Sequence, residues 1–431
     1  MPKITFLGAG STEFAKNLLG DAMLTEALNT SEIALYDINP QRLEESEAML
    51  SAINNNCNKG RTRITAYTDR KKALVKSDFV INAIQVGGYK PCTVTDFEIP
   101  KKYGLRQTIA DTIGIGGIFR TLRTMPVMLD FAREMEEVCP DAWLLNYTNP
   151  MSTLTGAIQR HTGVKAVGLC HSVQVCAETL LKSVDMSTDG LCYEIAGINH
   201  MAWLLKISKD GKDLYPEIKK KSKLLGKHHD MIRHELMHTF GYYVTESSEH
   251  SAEYTPYWIK DRYPELIERY NIPLDEYLRR CVEHIDRWET LKEELVNNPK
   301  LTHERTIEYA SRIMEAMVTD KPYKIGGNVL NMGLIENLPR EACVEVPCYI
   351  DKTGVNPCYV GYLPEQLAAL NRTNINTQLL TIEAAITLKK ESIYYAALLD
   401  PLTSSVLSID DIKSMCDEMI EAHGDWLPKY S

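Results

Sequence analysis

The first half of the chain alternates short, uniformly apolar runs with longer stretches of helical period. That is the pattern of strands buried on both faces and joined by crossover helices. Lys3-Ile4-Thr5-Phe6-Leu7 is the first such run, followed by a helix over 14–28 and a second run, Ile33-Ala34-Leu35-Tyr36. Pro40 heads a helix that carries Met49, Leu50 and Ile53 on its apolar side. Residues 62–67 alternate as a strand, 69–75 form a short helix, and 79–84 are the fourth strand. The runs at 143–147 and 166–170 each precede a further helix. This order predicts an α/β fold, a Rossmann-like doubly wound sheet of roughly six strands closing near residue 190.

The pattern changes between Cys192 and Ile207, where two apolar runs flank Gly197-Ile198-Asn199-His200-Met201. A boundary there divides the chain into a dinucleotide-binding domain, 1–195, and a mixed α+β domain, 196–431, for substrate, metal and subunit contacts. In the second part 259–318 reads as mainly helical and Val344-Glu345-Val346-Pro347 as a strand. Long helices fill 361–398, with 371–376 joining two of them.

The turn after the first strand is Gly8-Ala9-Gly10-Ser11-Thr12-Glu13, and the second strand ends on Asp37. Glycines let a backbone approach a pyrophosphate, a helix N-terminus offers N–H groups, and an acid after the second strand receives ribose hydroxyls. Gly8, Gly10, Ser11 and Asp37 are therefore cofactor candidates, with a plain βαβ unit as the alternative. Asp37 favours NAD over NADP, since a 2′-phosphate would meet a carboxylate. Glu13 occupies the position of the third fingerprint glycine and is too bulky for its packing role, which implies a slightly displaced turn or helix. Gln85, leading into Gly87-Gly88 at the end of the fourth strand, borders the same crevice. The stretch 105–123 mixes glycines, apolar residues, Arg120 and Arg123, and reads as a lid or phosphate-facing loop, or else as an interdomain turn before a helix at 121–138.

At 431 residues the chain exceeds a typical single core. A net charge of −10, from 48 basic and 58 acidic residues, argues against nucleic-acid and anionic-membrane partners. No apolar run is long enough to span a bilayer and no signal segment opens the chain, so a cytoplasmic location is expected. The 11 cysteines form no CxxC pair, which points to free thiols.

Cys170 and His200 each end an apolar run beside a turn. As a thiolate and an imidazole they suit a borderline divalent ion whose remaining positions go to water or substrate; the alternative is a buried cysteine and a core histidine. Asn149 and His171 sit at the same rim. The segment 246–258, rich in acids, aromatics and a histidine, has the composition of a sugar site or of a surface loop with aromatic anchors. Nucleophile-elbow, Walker A and HExxH motifs are absent.

Taken together, Gly8-Ala9-Gly10-Ser11, Asp37, Asn146-Tyr147-Thr148-Asn149-Pro150, Gly168-Leu169-Cys170-His171-Ser172 and Gly197-Ile198-Asn199-His200-Met201 resemble the family 4 glycoside hydrolases, in their α-galactosidase/α-glucosidase branch. The resemblance implies a lactate/malate-dehydrogenase-like architecture, tightly held NAD, and Mn²⁺ or another divalent ion on Cys170 and His200, kept active by reducing conditions. It gives Asn149, Arg120 and His171 to the substrate and makes Tyr254 the base at C2. His171 stands where phospho-sugar relatives carry an Asp as proposed acid. The implied reaction is transient oxidation of the sugar at C3, loss of the C2 proton, elimination at C1, water addition and re-reduction, an exception to the two-carboxylate scheme of glycosidases. Terminal α-galactosides of the melibiose or raffinose kind are the expected substrates, with α-glucosides or α-glucuronides next. A net 2-hydroxy acid dehydrogenase and an inactive sugar or NAD sensor are more distant readings. The resemblance also implies a homodimer or homotetramer.

Overall fold

The computed structural model describes residues 1–431. All thirteen strands join one sheet: β1 (Lys3–Leu7), β2 (Glu32–Tyr36), β3 (Arg63–Tyr67), β4 (Phe79–Asn82), β5 (Trp143–Asn146), β6 (Lys165–Gly168), β7 (Leu191–Ile198), β8 (Met201–Lys209), β9 (Lys212–Asp213), β10 (Tyr243–Val244), β11 (Tyr323–Leu330), β12 (Cys343–Asp351) and β13 (Gly354–Pro357). The first six run parallel in the order β3-β2-β1-β4-β5-β6, the doubly wound arrangement that the alternating runs predict.

The sheet does not close near residue 190. It continues antiparallel through β11, β12, β7, β8 and β10, and position 195/196 falls inside β7. A single-residue bridge, Asn328 with Gly168, makes the joint, and a second, Glu345 with Gly197, links β12 to β7. Both polar residues are buried, and Asn328 Nδ2 donates to Gly168 O at 3.3 Å and to Glu345 Oε1 at 2.9 Å. A Cβ at Gly168 would lie 2.8 Å from the Asn328 Cβ, so a glycine there lets the strands approach. Polar residues in these strands hide the joint from a reading based on apolar runs. One apolar core runs from Ile4 to Leu427, and a smaller one lies under the helix His171–Ser183.

Two expected loops are helical. The stretch 105–123 is not a lid over its second half: residues from Gly114 onward belong to the buried helix Gly114–Val138. Its glycines serve close packing, since a Cβ at Gly116 would lie 2.5 Å from Ala110 O and one at Gly117 2.6 Å from the Thr112 carbonyl carbon. Likewise 371–376 joins nothing, because the helix Glu365–Thr387 passes straight through it. Asn371 and Asn374 are buried and bonded laterally, while Asn376 is exposed. Asn371 accepts from Trp203 Nε1 at 3.2 Å and donates to Met201 O at 2.7 Å, while Asn374 donates to Tyr254 O at 3.1 Å. The region 259–318 holds the helices Glu265–Arg269, Glu276–Leu295 and Ala310–Thr319. All eleven cysteines are free, and no helix is long and apolar enough to cross a membrane.

Candidate active site

At the carboxyl ends of β1, β4, β5 and β6, where strand order reverses and open α/β sheets bind ligands, lies a cavity of about 420 Å³. Ser11, Gln85, Arg120, Asn149, Cys170, His171 and His200 all line it. The glycine turn lies beside it. Gly8 has φ +90° and a Cβ there would lie 2.7 Å from Ala83 O, so only glycine fits. Gly10 N–H donates to Asp37 Oδ2 at 2.7 Å, and the other Asp37 oxygen accepts from Asn39 N–H at 2.8 Å. The helix Thr12–Leu24 then begins. Glu13 faces outward, its side chain half exposed and 3.8 Å from His284, so the position that the fingerprint gives to a glycine needs none.

Cys170 precedes the helix His171–Ser183, whose N-terminal dipole favours negative charge at the sulfur. His200 sits in the tight turn between β7 and β8, and Glu246 follows β10. Glu246 Oε2 lies 3.9 Å from Cys170 Sγ and 3.3 Å from His200 Nε2. All three donor atoms fall within 4.8 Å of one another. His200 and Glu246 have φ of +63° and +62°. Such left-handed backbone costs about 1–3 kcal/mol per residue and is concentrated at functional sites.

Burial pulls the His200 pKa down to about 4, so its ring is neutral. Burial opposes ionisation of Glu246, but His200 and His250 outweigh it and bring the pKa down to about 2. Burial, then the Glu345 and Glu246 carboxylates, push the Cys170 thiol far above its ordinary value. A neutral imidazole, a carboxylate and a thiol that needs a cation beside it to ionise make an S, N, O set suited to a divalent ion, with coordination positions left open.

The adjoining wall is built on Asp111. It accepts from Asn149 Nδ2 at 3.2 Å and from Thr112 Oγ1 at 2.7 Å, with His250 Nε2 at 3.5 Å. Burial works against the His250 charge, but Glu246 and Asp111 raise its pKa to about 9, which makes it an imidazolium between two carboxylates. The turn carrying Asp111 is held by Glu253, which accepts from the N–H groups of Thr108, Ile109 and Ala110 at 2.7, 3.0 and 3.1 Å. Arg120 stacks over Tyr277 at 5.7 Å. Arg123 is turned away and fully buried, paired with Asp96 at 2.6 Å.

The segment 246–258 is not a surface loop. It folds into the short helix Ser248–Glu253, with Glu246 and His250 at the cavity, while its aromatic Trp258 packs into the core and Tyr257 is exposed. Tyr254 is 1% exposed and its hydroxyl has no partner; it sits behind the wall, its ring 6.2 Å from that of His200. Sequence reading singled out the segment holding Glu246 and His250 without singling out either residue. Glu308, whose carboxylate meets His171 at 2.6 Å, stands in a polar stretch with no motif to mark it.

The sequence fits the family model of family 4 glycosyl hydrolases over residues 3–186 and the model of that family's C-terminal domain over 195–403. An alpha-galactosidase of Bacillus subtilis is 65% identical over 432 residues, covering 100% of both chains. The fold matches a 6-phospho-alpha-glucosidase from gut microorganisms, solved in complex with NAD and Mn²⁺, with TM-score 0.83 and 21% identity over 100% of both chains. It also matches malate dehydrogenase from Plasmodium falciparum, with TM-score 0.51 and 13% identity over 90% of this chain and 99% of that one, in keeping with the dehydrogenase-like architecture. Two family models that together take in most of the residues, and a relative this similar from end to end, make the chain a member of glycosyl hydrolase family 4.

Proposed function

We propose that this chain hydrolyses terminal α-galactosides at the cavity between the glycine turn and Cys170, His200 and Glu246. The observation that carries the reading is the convergence of these three donor atoms next to a turn in which only glycine fits. The choice of galactose follows the 65% identical alpha-galactosidase; a related alpha-glucosidase at 29% identity makes α-glucosides the second reading.

When bound, NAD at the glycine turn and Mn²⁺ at the three donors would supply reversible hydride transfer at C3 and polarisation of the oxygen there. Gly8, Gly10, Ser11, Asp37 and Gln85 hold the dinucleotide, and Cys170 must stay reduced to serve as a ligand. Asn149, fixed by Asp111, and Arg120, fixed by Tyr277, orient the sugar hydroxyls. Tyr254 takes the C2 proton, and His171 stands at the glycosidic oxygen. Residues 1–195 carry the dinucleotide half of the site and 196–431 most of the rest. The assembly is a homodimer or homotetramer, which analytical ultracentrifugation measures. The protein works in the cytoplasm, where thiols stay reduced.

The test is hydrolysis of p-nitrophenyl α-galactoside and α-glucoside with NAD, Mn²⁺ and a thiol, each withheld in turn, while absorbance at 340 nm is followed. Galactoside cleavage that needs the additions and leaves no net NADH is expected. A preference for glucoside corrects the sugar alone, whereas cleavage indifferent to NAD and metal removal overturns the mechanism.

A further inference from the structure

His171 is held by a carboxylate from far along the chain. Its Nε2 lies 2.6 Å from Glu308 Oε1, and the rings of Phe14, Tyr147 and Tyr309 surround the imidazole at 6.0, 5.8 and 6.5 Å. Glu308 is 7% exposed, and its second oxygen has no partner. The next residue, Tyr309, donates its hydroxyl to Cys170 O at 2.9 Å. One dipeptide thus grips another: Glu308 takes the side chain of His171 and Tyr309 the backbone of Cys170.

The stretch leading to Glu308 has no regular secondary structure, so side chains set its path. Asp21, on the helix after the glycine turn, accepts from His303 Nε2 at 2.8 Å, Thr306 N–H at 2.9 Å and Thr306 Oγ1 at 2.7 Å. Thr306 Oγ1 in turn accepts the Glu308 N–H at 3.1 Å. The carboxylate facing His171 is therefore tied to the element that carries the dinucleotide turn.

We infer that Glu308 is a positioning residue that fixes the ring and tautomer of His171. A carboxylate only accepts, so Nε2, which faces Glu308, carries a hydrogen, and Nδ1 is the nitrogen without a protein partner. Carboxylates orient histidines in this way in hydrolase triads. Without Glu308 the ring, with its side chain 42% exposed, is free to flip and exchange its nitrogens. The inference rests on the proposed reading of His171 as a residue that meets the sugar.

A double-mutant cycle tests it on the protein loaded with NAD and Mn²⁺. Glu308→Ala is expected to lower kcat/KM about 10–100-fold, as loss of an orienting partner does. The same change in a His171→Asn background is expected to alter it by less than about twofold. NAD and Mn²⁺ dissociation constants, read by fluorescence titration and by electron paramagnetic resonance of free Mn²⁺, should stay unchanged. Equal losses in both backgrounds, or loss of cofactor binding together with activity, overturn the inference. A second measurement needs no turnover, so it stands even if the sugar reading fails. Imidazole ¹⁵N shifts of histidine-labelled protein with NAD and Mg²⁺, assigned by their disappearance in His171→Asn, should show an Nε2–H ring in the wild type and an averaged one in Glu308→Ala. A wild-type ring with its hydrogen on Nδ1, or one already averaged, overturns it.

Discussion

His200 and Glu246 face each other across 3.3 Å, and both hold left-handed backbone to do so. One comes from the turn between β7 and β8 and the other from the residues after β10, so two neighbouring parts of the sheet pay conformational strain to converge on Cys170. Glu246 brings a third donor atom to those of Cys170 and His200. Replacing it by Gln keeps the size and removes the charge that favours a cation. Glu246→Gln is expected to weaken Mn²⁺ binding at least about tenfold, close to 1.4 kcal/mol. Counting free Mn²⁺ by electron paramagnetic resonance checks this, and an unchanged affinity would leave Cys170 and His200 as the sole protein ligands.

Gly8→Ala is the sharpest probe of the glycine turn. Its φ of +90° is strained for any side chain, and the new Cβ would stand 2.7 Å from Ala83 O in the neighbouring strand end. Strain of about 1–3 kcal/mol plus the displaced backbone should lower the urea midpoint and weaken NAD binding together. A variant that binds NAD as tightly as the wild type would remove the close approach at Gly8 from the account of the site.

The parallel half of the fold was legible because its strands are short apolar runs, or in β3 an alternating one, each followed by a helix. The antiparallel half was legible only in part: the run at 344–347 lies in β12 as expected, whereas β11, where Asn328 is buried in the sheet and donates to Glu345, has no continuous apolar run to mark it. Glycines misled at 114–117, where they allow tight packing of a helix rather than freedom in a loop. Asparagines misled at 371–376, where they bond sideways to Trp203, Met201 and Tyr254 instead of breaking the helix. Cys170, His171, Asn149 and His200 were legible beside the ends of apolar runs and Arg120 in the glycine-rich stretch 105–123, and one cavity gathers them. Glu246 reaches that cavity, and Glu308 reaches His171 behind it, through tertiary packing, which local pattern does not encode.

The bond network at Asp21 predicts a pH-dependent contribution to stability. Burial opposes ionisation of Asp21, but hydrogen bonds from His303 and Thr306 outweigh it and hold the pKa below the ordinary carboxylate value. A carboxyl with a depressed folded pKa gives stability that is fully present above its unfolded pKa of about 3.9 and is lost as pH falls through the folded value. Asp21→Asn should therefore cost about 1.5–3 kcal/mol at pH 7, the worth of hydrogen bonds to a charged group. The gap between variant and wild type should shrink below about pH 4. Urea denaturation at several pH values measures both, and a gap independent of pH would mean that Asp21 acts by shape alone.

Tyr254 poses the clearest alternative between chemistry and packing. Its hydroxyl is buried with no partner, and Asn374 Nδ2 holds its backbone carbonyl at 3.1 Å. Burial, then the charges of Asp111, Cys170, Glu246 and Glu253, push its pKa well above the ordinary tyrosine value. A cation among those groups would work in the opposite direction, which is what a base requires. Tyr254→Phe removes only the oxygen. If the ring merely fills the core, losing an unsatisfied hydroxyl should leave stability unchanged or slightly higher, with turnover intact. If the oxygen takes the C2 proton, kcat should fall about 10²–10⁴-fold while NAD and Mn²⁺ bind as before, and exchange of the C2 hydrogen with D₂O should cease. Turnover within about threefold of wild type would move the role of base to the cavity wall, where Asp111→Asn is the next variant to measure.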